Sequence, residues 1–270
     1  MTSASALGAG QYGSAPAWLA LRVVPAARLA GSWEPGPRLG RVQEEASRAT
    51  GYTTLAAGPD FRHEIEIKRS RFITVLRRAE TEEAARGLVA GLRREFHDAR
   101  HHCSAFIIGP DRDIQRSNDD GEPSGTAGIP MLEALAKRET LPGVADLSDV
   151  SAVVVRYFGG VLLGAGGLVR AYSESVSSAL SLAPMVRRSR LRICAAEVPH
   201  AAAGRLENDL RSAGFVMAET SYAASHTVLR LAIPDDAAAI TAAAGRLQLL
   251  TAGSAALTME GTEWVDVPLT

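Results

Sequence analysis

The pattern of polar and apolar residues becomes regular after residue 61. Residues 63–68 alternate between polar and apolar side chains, which is the two-residue period of a half-buried strand. The apolar run 71–76 follows after a short turn, so this part of the chain predicts two successive strands. From 81 to 96 the apolar residues recur every three or four positions, which predicts a helix with Thr81 as its N-terminal cap.

Strand and helix patterns continue to alternate up to residue 185. The apolar runs 103–108 and 152–155 predict two further strands. Helices are predicted to begin near Ile129 and at Leu168. A polar loop and a glycine-rich loop connect these elements and span residues 117–128 and 159–167.

The pattern after residue 190 has a different order. It predicts a strand at 191–198, a helix at 200–213, strands at 215–222 and 226–233, a helix from an Asp235 cap to 247, and a last strand within 249–261. The order β-α-β-β-α-β is the split-βαβ plan of ferredoxin-like domains. The chain is therefore predicted to be an α+β protein.

The first 60 residues differ from the rest in composition, because they are rich in Ala, Gly, Pro and Ser. We interpret residues 1–60 as a disordered extension, or as the result of a start codon assigned too far upstream of about Gly51. The apolar run 18–24 is too short for a signal peptide and lacks the charged start. The predicted domains are therefore 61–185 and 190–270.

The composition is that of a globular protein, with 46 % hydrophobic and 22 % charged residues. The formal net charge of −1 excludes an overall basic field, so nucleic-acid binding would require a local basic patch. Residues 190–270 contain 6 Arg and 9 carboxylates, which makes this part a poor surface for RNA and better suited to a protein partner.

The cysteine content indicates a reducing compartment. Cys103 and Cys194 fit neither a metal or redox spacing nor a disulfide framework. The sequence also lacks a run of 18 or more apolar residues. We therefore predict a cytoplasmic protein that has no membrane span and needs no cofactor.

Three segments place polar functional groups and glycines at transitions between strand, loop and helix. They are Arg-His-His-Cys at 100–103, Asp-Asp-Gly-Glu-Pro-Ser-Gly-Thr-Ala-Gly at 119–128, and the glycine-rich segment 155–172. Backbone amides at such transitions have no fixed partner, and the N-terminus of a helix attracts anions. The glycine-rich loop lacks the Gly-Lys-Ser/Thr ending of a P-loop and the spacing of the dinucleotide fingerprint.

In this order, the three segments resemble the signature of the YigZ/IMPACT family. The resemblance is strong over residues 61–185 and weaker over 190–270. It implies an N-terminal domain of the ribosomal-S5-domain-2-like fold and a C-terminal ferredoxin-like domain similar to the last domain of elongation factor G. It also implies a link to translation, because eukaryotic relatives regulate translation through protein partners, whereas nucleic-acid binding is inferred from the fold.

Two positions depart from the family pattern. Members of the family often have a basic residue between Gly128 and Pro130 and another just after the pair 160–161, where this chain has Ile129 and Leu162. Two phosphate contacts are therefore missing, which weakens the case for a nucleic-acid groove at the glycine-rich loop.

The candidate ligand-binding site is predicted where the acidic loop and the glycine-rich loop meet. Arg156 and Arg170 are expected to converge on an anion, and Tyr157 or Phe158 to stack on a base. The candidate residues are His101, His102, Asp119, Asp120, Glu122, Ser124, Thr126, Arg156, Tyr157, Gly159, Gly160, Gly164, Gly166, Gly167 and Arg170.

Structural roles compete with these functional ones. The cluster around His101 and His102 does not predict a metal site, because adjacent residues of a strand point to opposite faces. Cys103, at the start of an apolar strand, is expected to be buried and not to act as a nucleophile. The acidic trio within 119–122 does not fit an EF-hand. These carboxylates either bind a ligand or cap the backbone amides of a tight loop, and the sequence leaves both open.

Three functional hypotheses follow. The preferred one is a binding protein, not an enzyme, that contacts RNA, the ribosome or a translation-related protein, with its oligomeric state left open. The alternative is an enzyme that uses His101 or His102 and the acidic trio on a phosphorylated small molecule. In the third hypothesis the chain is an interaction module, and the motif residues only hold the loops in shape.

Overall fold

The computed structural model describes residues 49–269, which contain ten strands and five helices; the strands form two antiparallel sheets. By their contacts, the described residues divide into a first unit of 49–190 and 264–269 and a second unit of 191–263. The strands are β1 (Gly51–Leu55), β2 (Phe61–Ile67), β3 (Ser70–Arg78), β4 (His101–Ile108), β5 (Ile114–Asn118), β6 (Val150–Tyr157), β7 (Met185–Val198), β8 (Val216–Tyr222), β9 (Thr227–Pro234) and β10 (Thr258–Pro268). The helices are α1 (Glu82–Glu95), α2 (Gly128–Ala136), α3 (Ala165–Leu182), α4 (His200–Ser212) and α5 (Ala237–Leu250).

The first unit has a sheet that is covered by helices on both faces. Its strand order is β2-β3-β6-β4-β5, and all neighbours are antiparallel. The central strand β6 is buried from Val150 to Arg156, in keeping with its run of valines. On one face α2 and α3 pack around Met131 and Tyr172, and on the other α1 packs through Leu88.

The register of the strands sets the position of the polar segments. β4 and β6 pair so that His101 lies opposite Arg156. β5 pairs with β4 so that its last residue, Asn118, lies opposite Ser104. The acidic loop, which follows β5, and the glycine-rich loop, which follows β6, therefore leave the sheet at the same end.

In the second unit, β9 pairs with residues 191–198 of β7 on one side and with β8 on the other. The helices α4 and α5 cover this sheet, and their residues Leu210 and Leu247 are buried with Leu229 and Leu231 of β9. The order of elements, β7-α4-β8-β9-α5-β10, agrees with the prediction.

Most predicted elements are present, but several boundaries differ. The Thr81 cap of α1 is confirmed, because its hydroxyl accepts from a backbone N–H of the first turn. α3 begins at Ala165, before the predicted start, and β7 begins at Met185 instead of residue 191. The cap of α5 is Asp236 and not Asp235, because the Asp236 carboxylate accepts the backbone N–H that lies three residues on.

Two strands were predicted incompletely. The sequence pattern does not predict β5, because Ile114 is its one apolar residue and the other four positions are exposed. β10 continues beyond the predicted limit at 261. In this added part of the strand, the ring centre of Trp264 lies 5.2 Å from that of Tyr52.

The N-terminal extension predicted at 1–60 lies mostly outside the described residues, which begin at 49. Residues 51–55 form β1, which pairs with residues 185–189 of β7. The first unit therefore begins before the predicted boundary at 61. Among the helices of residues 49–269, none combines the length and the apolar character that are needed to cross a membrane.

Candidate functional site

A concave cleft of about 760 Å³ lies in the first unit, at the end of the sheet where the two loops leave it. This volume is within the range of pockets that bind small molecules. Both loops contribute to the lining, so the predicted meeting of the two loops is confirmed. The lining residues are Asp98, Arg100, His101, Glu122, Pro123, Arg156, Tyr157, Phe158, Leu162, Leu163, Gly164, Ala165 and Leu168.

The floor of the cleft contains a buried ion pair. Arg156 donates from Nη1 to Oε1 of Glu122 at 2.5 Å, and the two side chains are only 8 % and 4 % exposed. The same carboxylate oxygen accepts from the hydroxyl of Tyr172 at 2.7 Å. The guanidinium carbon of Arg156 lies 5.5 Å from the ring centre of Phe72 and 5.8 Å from that of Phe158. Because a charge buried to this extent requires a partner, Glu122 and Arg156 hold each other in place.

Cys103 lies beside this pair and is fully buried, as predicted. Its Sγ is 3.0 Å from the backbone carbonyl oxygen of Asp119 and 3.3 Å from the hydroxyl of Tyr172. Burial raises the pKa of the Cys103 thiol to about 12. The thiolate is therefore scarce at neutral pH, and the side chain is not poised to act as a nucleophile.

Asp119 organises the acidic loop. Its carboxylate accepts the backbone N–H groups of Gly125, Ala127 and Gly128 at 2.8, 3.0 and 2.7 Å, and so caps the start of α2. Burial acts to raise the pKa of Asp119, but the three hydrogen bonds outweigh it and the net pKa lies below the ordinary value. Gly121 and Gly125 have φ values of +84° and +77°. The predicted structural role of this loop is thus confirmed: Asp119 caps backbone amides, and the two glycines have positive φ.

Asp120 joins the loop to α1 and to the start of β4. Its carboxylate forms an ion pair with Arg93 and accepts the backbone N–H of His102 at 2.6 Å. Its backbone carbonyl oxygen lies 2.9 Å from Nδ1 of His101. The carboxylate is therefore committed to holding the loop against the sheet.

The two histidines lie on opposite faces of β4, as predicted for adjacent strand residues. His101 lines the cleft, whereas His102 is 5 % exposed and its Nδ1 lies 3.8 Å from a carboxylate oxygen of Asp120. Burial lowers the pKa of His102, so its ring is neutral at pH 7. Within residues 49–269, no group of three or more His, Cys, Asp or Glu side chains is placed to hold a metal ion.

The glycine-rich loop needs glycine at two positions for different reasons. A Cβ on Gly159 would lie 2.0 Å from the backbone of Arg69, so no side chain fits beside the turn between β2 and β3. Gly164 has a φ of +74° and precedes α3 without providing a side-chain cap. The first-turn amides at 165–167 therefore have no acceptor among the described residues.

Five of the predicted site residues line the cleft, namely His101, Glu122, Arg156, Tyr157 and Gly164. Phe158, the neighbour of Tyr157, also lines it and is 56 % exposed. Tyr157 is less available, because its hydroxyl donates to Asp98 at 2.6 Å. Whether these residues bind a ligand stays a prediction.

The remaining predicted residues lie outside the cleft lining. Arg170 is exposed on α3 and does not converge with Arg156, because it is two residues from the cleft-lining Leu168 and thus faces away from it. Ser124 is exposed, and the Thr126 hydroxyl donates to the backbone carbonyl oxygen of Pro123 at 2.6 Å. The others belong to the loops, the start of α3 or the buried face of β4, and are His102, Asp119, Asp120, Gly159, Gly160, Gly166 and Gly167.

Two residues that hold the acidic loop in place are not identified in the sequence analysis. Tyr172 donates a hydrogen bond to Glu122. The spacing of the helix could have identified it, because Tyr172 lies one turn after Leu168 on the buried face of α3. Arg93 binds Asp120 from the exposed side of α1, where nothing in the sequence distinguishes it from the other arginines.

Known proteins resemble the part of the chain that carries this site. Residues 68–180 match the family model of the Impact N-terminal domain. The chain is 46 % identical over 171 residues to the IMPACT family member YvyE of Bacillus subtilis (strain 168), which covers 63 % of this chain and 74 % of that protein. The chain belongs to the IMPACT family.

Other IMPACT relatives extend the comparison. The IMPACT family member YigZ of Escherichia coli (strain K12) is 47 % identical over 128 residues, covering 47 % of this chain and 59 % of YigZ. The IMPACT family member in the pol 5′ region of Thermus thermophilus is 39 % identical over 168 residues, covering 62 % of this chain and 86 % of that protein. A crystal structure of a hypothetical protein is 36 % identical and has a TM-score of 0.50, covering 77 % of this chain and 96 % of that one.

Asp119→Asn is expected to lower the free energy of unfolding at pH 7 by about 1–3 kcal/mol, because an amide replaces one of the two oxygens that accept three N–H groups. Chemical denaturation measures this difference. The pKa of Asp119 is lowered by folding, so its contribution is complete above the pKa of an unfolded aspartate, about 3.9. The contribution is lost as the pH falls through the lower pKa of the folded protein.

Asp113→Asn is the matched control, because Asp113 is exposed and precedes the strand that leads into the loop. This substitution should change the free energy of unfolding by less than about 0.5 kcal/mol. Equal effects of the two substitutions at pH 7 would contradict the capping role of Asp119.

Gly159→Ala is expected to destabilise the protein by about 1–3 kcal/mol, since the new Cβ overlaps the backbone of Arg69. Gly166→Ala is the control, because a Cβ there meets no atom within 4 Å and alanine favours the helix by about 0.5–1 kcal/mol. Urea denaturation of both variants checks the sign of each effect. If Gly159→Ala left the free energy of unfolding unchanged, the β2–β3 turn would be able to move away from the new Cβ without strain.

Proposed function

We propose that the chain is a binding protein associated with translation or its regulation, and that its cleft holds a segment of a protein partner. The observation that carries the proposal is the apolar lining of the cleft. Phe158 and Leu162 are 56 % and 84 % exposed there, beside Leu163 and Leu168. Neighbouring exposed apolar side chains on one surface are typical of interaction sites.

The state of the polar groups favours binding over catalysis. Asp119 is committed to three backbone N–H groups, Asp120 to Arg93, and Glu122 to Arg156. A general acid or base needs a proton that it can exchange with a ligand, and these carboxylates are held by the fold instead.

The distribution of charge favours a protein partner over RNA. The formal net charge of the chain is −1, and two cations of the site are paired, Arg156 with Glu122 and Arg93 with Asp120, which leaves Arg100 on the lining. Ile129 and Leu162 supply apolar side chains where many family members have basic ones. RNA binding needs several unpaired cations along one path, so a protein segment fits this lining better.

The link to translation rests on the family resemblance, since eukaryotic relatives regulate translation through protein partners. A cytoplasmic location is part of the same proposal and is supported by two free, buried cysteines, Cys103 and Cys194. We also assign the ribosomal-S5-domain-2-like fold to the first unit and the ferredoxin-like fold to the second. The second assignment is supported by the pairing of β9 and β10 with β7 and of β8 with β9.

The second candidate function is an enzyme that acts on a phosphorylated small molecule. The concave shape of the cleft favours it, together with His101 on the lining and the uncapped N-terminus of α3. Turnover of a phosphorylated compound that is lost in His101→Gln but retained in Leu162→Gln would favour this candidate over the binding protein.

Leu162→Gln is expected to weaken the binding of the full-length protein to ribosomes or translation factors by about tenfold, because it removes an apolar contact of the cleft. Co-sedimentation with purified bacterial ribosomes, and pull-down of purified translation factors, measure the association. Leu182→Gln is the matched control, since Leu182 is 60 % exposed at the far end of α3 and should leave binding unchanged.

Salt and ribonuclease distinguish the partner classes in this experiment. Association that survives ribonuclease and changes little between 50 and 300 mM salt supports a protein partner. Association that disappears with ribonuclease and falls steeply with salt identifies RNA instead. An absence of association at low salt would refute the translation proposal.

A further inference from the structure

Arg156 has an unused hydrogen-bond donor. A guanidinium carries five N–H donors, and Nη1 of Arg156 donates to Glu122. Neither Nε nor Nη2 has an acceptor among residues 49–269; Nε is fully enclosed and out of reach of a ligand, which leaves Nη2. The Arg156 side chain is only 8 % exposed and lines the cleft. A buried donor without a partner indicates that an acceptor from a ligand completes the site.

The N-terminus of α3 lies on the lining of the same cleft. Gly164 and Ala165 line it, and the amides at 165–167 have no acceptor among the described residues. The helix has 18 residues, so its dipole favours an anion at this end. Two independent sets of unused donors, Nη2 of Arg156 and these amides, therefore border one space.

The charges around this space favour a carboxylate over a phosphate. Glu122 already neutralises Arg156, and the lining as a whole carries two arginines and two carboxylates (Arg100 and Arg156, Asp98 and Glu122), so the site attracts one negative charge more readily than two. A carboxylate oxygen can also accept from a single guanidinium nitrogen, as Glu122 does from Nη1 of Arg156, so the one accessible donor at Nη2 suffices.

The apolar lining defines what else the ligand carries. Leu162, Leu163 and Phe158 lie on the lining that the unused donors share. The last residue of a protein has a carboxylate and a side chain on the same carbon, so it can meet the donors and the apolar wall together. An internal Asp or Glu would bring peptide groups on both sides into an apolar cleft, where they would lack partners.

We propose that the cleft captures the C-terminal carboxylate of a partner protein whose last residue is apolar, with Nη2 of Arg156 and the α3 amides as donors. This inference rests on the proposed function and specifies the partner segment. It corresponds to the capture of a chain terminus by backbone amides that other peptide-binding domains use.

Binding of short peptides to the full-length protein tests the inference. The probe is N-acetyl-Ala-Ala-Phe-Leu with a free carboxylate, titrated into ¹⁵N-labelled protein and followed by amide and arginine Nε–H chemical shifts. We expect shifts at the amides of Gly166 and Gly167 and at the Arg156 Nε–H. The C-terminal amide of the same peptide should bind about tenfold more weakly, because a charge-assisted hydrogen bond is lost.

Two further ligands separate the sources of the anion. N-acetyl-Ala-Glu-Phe-Leu amide carries an internal carboxylate, and phenyl phosphate carries a phosphate. Both should bind at least about tenfold more weakly than the free-carboxylate peptide. Equal or tighter binding of either ligand, or equal binding of the amidated probe, would overturn the assignment to a C-terminal carboxylate.

Ala165→Pro tests the helix amides without removing a buried charge. Proline suits the first position of a helix and deletes the N–H of residue 165, and the extended ψ of 166° at Gly164 accommodates it. Peptide binding should fall about tenfold, whereas Ala165→Val, of similar size but with its N–H, should stay within about twofold. Arg156→Gln should abolish binding, with Arg94→Gln on the exposed surface of α1 as its control.

The outcomes separate this inference from the proposed function. If the peptide does not bind while the ribosome or translation-factor association persists and still depends on Leu162, the carboxylate assignment is wrong and the proposed function stands. If both are absent, both are wrong. Equal binding by Ala165→Pro and Ala165→Val would show that the α3 amides are not donors to the ligand.

Discussion

The candidate site depends on the buried ion pair between Glu122 and Arg156. It joins the acidic loop to the end of β6, and through Tyr172 it reaches α3. Loss of one member of such a pair leaves the other charge uncompensated, which destabilises a protein by about 3–5 kcal/mol. The pair therefore fixes the relative positions of three segments that are distant in sequence. The shape of the cleft follows from that fixation.

The other carboxylates of the acidic loop are also paired with groups of the fold. Asp119 is turned towards the start of α2, and Asp120 towards α1 and β4. Each carboxylate satisfies backbone or guanidinium donors that would otherwise lack partners. The loop is thus held at its two ends and at Glu122 between them. What it presents to the cleft is Pro123 and the edge of the ion pair.

The strands and helices were largely predictable because their burial follows a period. The β6 valines and the leucines of α1 are examples. The sequence does not predict β5, because this strand pairs with β4 alone and has no buried face that would give a periodic pattern. The meeting of the loops was also predictable from the motifs. The partners of the charges were not: Arg156 and Arg170 look alike in sequence, but one is buried on a strand and the other exposed on a helix. Pairing depends on register and helix rotation, which sequence spacing alone leaves unspecified.

A segment rich in His, Asp, Glu and Arg suggests chemistry when it is read as a sequence. In the folded chain most of these charges neutralise one another, so that the groups left for a ligand are Phe158, Leu162, Nη2 of Arg156, the amides at 165–167 and the ring of His101. Apart from the His101 ring, all of them recognise shape or a negative charge. The internal pairing of the polar residues is therefore the physical basis for proposing recognition, and not catalysis, at this site.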